Sequence, residues 1–166
     1  MTVSSTLTKN SYDGDGTTPD FTYSFKIFDD DDITVIIRTI ATGTETVKTK
    51  GTHYTVSGVG NAGGGTVTFT VGNIPVATEK VFLVRSTALT QATDYTPNDP
   101  FPAESHENAL DKLTFMAQEI QEELDRAIKI SRTNTITTTE FTTDAATRAN
   151  KVFAFDSSGD LAVTQE

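Results

Sequence analysis

The 166-residue chain contains no cysteine, which excludes a disulfide framework and any thiolate metal or redox centre and leaves its redox compartment unmarked. Histidine is scarce: His53 and His106 are the only two, and neither has a second histidine or a carboxylate at ligand spacing. Positive charge is short as well, 13 Lys and Arg against 23 Asp and Glu, for a formal net charge of -10. A surface of that sign repels phosphate backbones and anionic headgroups, so the expected partners are protein or carbohydrate, with no nucleic acid and no membrane insertion. No apolar run approaches the roughly 20 residues of a membrane span, and the start MTVSSTLTKN lacks the apolar segment of a secretory signal. The expectation is a soluble protein made in the cytoplasm.

What is present is 36% hydrophobic residues, enough for one modest core with an appendage. A short strand is expected near Val3 to Leu7, followed by a loop through YDGDGTTPD. Phe21, Tyr23, Phe25 and Ile27 then alternate with polar residues, the period-two pattern of a strand with one buried face. Asp29 to Asp32 read as a turn kept in solvent by mutual repulsion, and ITVIIRTI as a second strand pairing with the first in a hairpin. Further strands are expected at Glu45 to Lys48, His53 to Ser57, Thr66 to Val71 and Lys80 to Ser86, separated by turn formers. The run VFLV at 81–84 is apolar on both faces, so that strand is central or covered on its second side. Short strands with Gly-rich turns indicate an antiparallel β-sandwich, residues 1–96.

Pro97, Pro100 and Pro102 forbid helix and favour an extended linker. Beyond them one long helix is expected over about 104–131, with Ser105 as N-cap, Glu104 and Glu107 at its positive end, and Lys129 and Arg132 near the other. Leu110, Leu113, Ala117, Ile120, Leu124 and Ala127 recur in alternating steps of three and four, the seam of a coiled coil. A second partial seam of Ala109, Leu113, Met116, Ile120, Ala127 and Ile130 widens the stripe, which suits three chains better than two. Leu110, Leu113, Met116, Ala117, Ile120, Leu124 and Ala127 are therefore the expected trimer interface, unless the helix folds back on its own sandwich. Gln118, Glu119, Gln121, Glu122, Glu123 and Asp125 form an outer face expected in solvent. Linker and helix make a second segment, 97–132. The third, 133–166, is a Thr-rich stretch with one short strand at about Thr135 to Phe141, then two apolar runs around SSGD. That hairpin is marginal alone and needs something to dock on.

Chemistry-bearing patterns are thin. Asp13, Asp15 and Asp20, with Gly14 and Gly16, superficially resemble a calcium loop, but the twelfth-position Glu is missing and Pro19 interrupts the spacing. Asp29 to Asp32 could hold a divalent ion or rim a basic partner; a solvated turn is the simpler reading. The glycines from Gly58 to Gly65 lack the Lys and Ser/Thr of a phosphate cradle and precede a strand, so they make a hairpin loop. No carboxylate pair sits in a recognisable cleft, so no enzyme, cofactor or metal is expected.

In the order of its features the chain resembles the N-terminal, tail-attachment domain of tail fibres from short-tailed, T-seven-like phages and related tailspike adaptors. The resemblance runs over residues 1–132, through YDGDGTTPDFTYSFKIF, ITVIIRT, GTHYTVSG, GGTVTF and KVFLVRSTALTQATDYTPNDPFPAESHENALDKLTFMAQEIQEELDRAI. Its most specific part is the strand ending at Arg85, then Asp94-Tyr95, Phe101-Pro102 and a helix beginning near Glu107 and Asp111. The resemblance implies a structural virion protein of the tail, made in the host cytoplasm. Its β-domain would bind tail tube, nozzle or adaptor proteins, and its helices would trimerise to carry the receptor-binding part outward. No β-helix, shaft or lectin-like tip follows before Glu166, so receptor binding and depolymerase activity are not carried over. KVFAFDSSGDLAV is instead expected as a docking point for a separate distal fibre or spike protein. The competing expectation is a small carbohydrate-binding sandwich for host surface glycans.

Overall fold

A computed structural model describes residues 3–91, 93–94, 102–133, 144–159 and 161–164. Tyr95, Pro97, Pro100, Phe101 and the strand expected over Thr135 to Phe141 lie outside the described residues. Two compact units divide the chain, Met1–Ala127 and Ile128–Glu166.

The first unit opens with β1 (Lys9–Asp13), β2 (Asp20–Tyr23) and β3 (Ile33–Thr39). It continues with β4 (Glu45–Val47), β5 (Tyr54–Ser57), β6 (Gly65–Phe69) and β7 (Glu79–Arg85), and ends in α1 (Ala103–Asp125). One antiparallel sheet has the order β1-β7-β3-β4 and a second β2-β6-β5. Their inner faces meet in one core, with Val35, Ile37, Val81 and Leu83 from the first sheet and Phe21, Tyr23, Tyr54, Val67 and Phe69 from the second. The alternating pattern buries every second residue of β3 and β7 and turns the others outward, as a two-layer β fold requires. The Tyr23 hydroxyl reaches the core edge and donates to the Ser57 carbonyl at 2.6 Å.

Several expectations change. Residues 3–7 form no strand; the first strand is β1, which borders β7 instead of the neighbouring sequence. The Phe21 and ITVIIRTI strands do not form a hairpin, because β2 pairs with β6 in one sheet and β3 with β7 in the other. Period two fixes which face is buried but not which strand is the neighbour. Phe25 and Ile27 keep the alternation and are buried although the ladder ends at Tyr23. The central position expected for the strand of Val81 to Val84 is the observed one, with β1 and β3 on its two sides.

The Asp29 to Asp32 turn is not wholly solvated: Asp32 is 5% exposed. Its carboxylate accepts the N–H groups of Phe28 at 3.1 Å and Asp29 at 3.0 Å, which is how a short polar side chain closes a turn on itself. Ser105 is not the N-cap of α1. Pro102 holds that position in an extended conformation without a side-chain cap, and the helix ends at Asp125, before Lys129 and Arg132.

The second unit contains α2 (Ala145–Arg148), capped by the Asp144 carboxylate accepting from the Thr147 N–H at 2.8 Å. It also contains the expected hairpin, β8 (Val152–Phe155) with β9 (Leu161–Thr164). Phe153 faces Val163 and Phe155 faces Leu161 across the ladder, so four apolar residues share one side.

Candidate functional site

The site with the clearest organisation is α1 and its seat on the sandwich. Helix residues that meet the β-domain include Asn108, Asp111, Phe115, Gln118, Glu119 and Glu122. At about 100° per residue they occupy a single face. Phe115 is the apolar anchor: its ring lies 5.5 Å from that of Phe28, and the Arg85 guanidinium stacks over it at 4.0 Å. Arg85, the last residue of β7, is 3% exposed. Its Nε donates to Glu119 Oε1 at 2.8 Å and its Nη2 to Gln118 Oε1 at 2.7 Å. Glu119 also accepts the Thr87 N–H at 2.9 Å and hydroxyl at 2.7 Å, so one carboxylate gathers three donor groups.

Closer to the helix start, Lys26 Nζ donates to Asp111 Oδ2 at 3.2 Å and Asn108 Oδ1 at 3.1 Å, and lies 4.5 Å from the Phe28 ring. Towards the helix end Lys9 bonds Glu122 at 3.1 Å, and Arg126 clasps the same carboxylate one turn on. The hydrogen bond from Arg126 is the main reason the Glu122 carboxyl is held below its usual range. Among the described residues no buried side-chain nitrogen or oxygen lacks a partner.

This arrangement corrects one expectation and sharpens another. Gln118, Glu119 and Glu122, assigned to the solvent face, are instead the residues the sandwich holds. The helix does fold back on its own sandwich, but not through the seam. Leu110 (51%), Leu113 (59%), Ile120 (52%) and Leu124 (49%) stay exposed, Ala117 with them, and Met116 is half-buried. Ala127 lies two residues past the last helical residue and is exposed. The docked face and the seam are nearly opposite, roughly 170° apart around the helix. One edge of the seam, Met116 and Ile120, continues into a groove lined by Leu89, Val84 and Ile36. Sequence alone concealed the docked face because its partners, Lys26 and Arg85, are distant in the chain. The one available signal was Phe115, a large aromatic off the heptad line.

The remaining carboxylate patterns are occupied by local bonds. Asp15 accepts the N–H groups of Thr17 and Thr18 at 2.7 Å each and the Thr18 hydroxyl at 2.6 Å. The hydroxyl bond is the largest reason its carboxyl lies far below the ordinary range. Asp13 pairs with Lys80 at 2.6 Å and Asp20 accepts from the Thr68 hydroxyl at 2.6 Å, so these three do not converge. Carboxylate oxygens of Asp29, Asp30 and Asp31 lie within 4.8 Å of one another. Lys50 bridges Asp30 and Asp31 at 2.5 Å each, and its hydrogen bond is the main cause that lowers the Asp30 pKa. Of the histidines, the His53 ring nitrogen accepts the Thr49 N–H at 3.0 Å inside a turn, and His106 sits in the first turn of α1. No helix among the described residues is long and apolar enough to cross a membrane.

No protein-family model matches the chain. A curated relative, the tail spike protein of Salmonella phage epsilon15, is 37% identical over 131 residues, 78% of this chain. The match takes in only 12% of that protein, so the chain spans a small part of the relative's length. The likeness supports a phage tail protein and a virion component, without reaching the finer assignment to T-seven-like tail fibres.

Proposed function

We propose that this chain is a structural tail protein whose β-sandwich anchors a fibre or spike to the virion tail and whose α1 helices join three copies. The role is mechanical, not catalytic, and serves host attachment. Its partners are two further copies of itself, tail tube, nozzle or adaptor proteins at the sandwich, and a distal fibre or spike protein beyond the helix. The observation that carries the reading is the seam. Leu110, Leu113, Ala117, Ile120 and Leu124 keep heptad spacing on the helix face opposite the sandwich, where a monomer leaves them in water. Large exposed apolar side chains in register along about four turns of helix are the usual mark of a helix that packs on its own kind. The relative's name, a tail spike protein, supports the same setting.

Light scattering tests the proposal. The parent chain should run at three times its 17.9 kDa mass, and Leu113→Asp combined with Ile120→Asp should run at the single-chain mass with its β circular dichroism intact. A monomeric parent, or a double variant that keeps the parent's mass, rules the seam out as the interface.

A further inference from the structure

We infer that Lys26 and Arg85 set the rotation of α1 about its own axis and thereby decide which face of the helix is offered to other copies. The consequence for assembly rests on the trimer reading above; the geometry does not. By apolar content alone α1 would dock the other way round. Its seam carries Leu110, Leu113, Ile120 and Leu124, whereas the docked face carries the single large apolar residue Phe115. What opposes that outcome is a pair of cations built into the seat. The Arg85 side chain is 1% exposed and the Lys26 side chain 15% exposed, and each finds its counter-ion on the helix, Glu119 and Asp111. Turning the helix by half a revolution would set both cations against leucine and isoleucine. Two buried charges stripped of their partners offset the gain from covering seam side chains that are already about half covered.

The contacts read the helix over most of its length. Asn108, Asp111, Phe115, Gln118 with Glu119, and Glu122 follow one another at three- and four-residue steps, each with a bond or ring contact to the β-domain. Such buried ion pairs add little net stability, and their best-attested use is to fix orientation or register. Here the orientation they fix turns the seam away from the sandwich. Lys26 and Arg85 are thus positioning residues that act through the helix.

The test uses the full chain, whose lack of cysteine lets spin labels be placed uniquely at Thr55→Cys on β5 and Gln121→Cys on the exposed side of α1. Electron paramagnetic resonance then reads the helix rotation as a distance distribution, and light scattering reads association. Lys26→Asp should shift or broaden the distance and weaken association by about tenfold or more, and Lys26→Asp with Asp111→Lys should restore both. Arg85→Met with Glu119→Gln, an apolar exchange of the cation that leaves the Thr87 N–H and hydroxyl an acceptor, should keep the parent's circular dichroism yet lose the narrow distance. A narrow, parental distance in that variant overturns the inference, as does a reversed pair no better than Lys26→Asp alone. If Lys26→Asp does not fold, the apolar exchange decides by itself. A monomeric parent would sink the trimer reading alone, since the label distance still reports the rotation.

Discussion

At Gly64 the backbone sits at a φ of +86°, and a Cβ there would fall 1.9 Å from the Tyr23 carbonyl oxygen, well inside contact distance. Two effects therefore coincide at one residue, a left-handed conformation and a close backbone approach between the β5–β6 turn and the end of β2. Gly64→Ala should destabilise the sandwich by more than about 2 kcal/mol in urea unfolding, whereas Gly60→Ala, with open space around its Cβ, should cost less. Asp32 shows the same economy of local chemistry: its carboxylate closes a turn while its backbone carbonyl accepts the Ser86 N–H at 2.8 Å, tying the turn to the end of β7.

At the level of elements, α1 is held by one aromatic anchor and a set of ion pairs, so its attachment should be separable from the core. Phe115→Ala removes the one large apolar side chain that α1 buries and should cost about 3 kcal/mol of helix docking. Hydrogen exchange should then show α1 amides losing protection while those of β3 and β7 keep theirs; equal loss in both would mean that helix and sandwich unfold as one unit. The elements themselves were largely legible: alternation located β3, β6 and β7 within a residue or two, and the prolines bounded the helix start. Their partnerships were not. The Phe21 alternation is equally compatible with β3 or β6 as neighbour, and the acidity of Glu119 and Glu122 reads as solvation until Arg85 and Lys9 are placed beside them. The seam was legible because leucine spacing is local information, while the docked face depends on contacts 32 to 113 residues apart, from Thr87 with Glu119 to Lys9 with Glu122.

For the whole molecule, the lowered carboxyl pKa values of Asp15, Asp30 and Glu122 set the direction of its acid sensitivity. Each binds its proton less readily folded than unfolded. Their contribution is complete above the ordinary carboxylate range and is lost as pH falls through that range and below. Melting temperature should therefore decline as pH falls from about 5 to about 2, and Asp15→Asn should flatten the decline; an unchanged slope would show that Asp15 titrates alike in both states. The central place of β7 bears on how the molecule carries load. Arg85 couples the end of that strand to α1, and the strand is laddered to β1 on one side and β3 on the other. A pull transmitted from the helix along β7 therefore meets both ladders in shear, many backbone hydrogen bonds resisting together, whereas an edge strand would peel away one rung at a time.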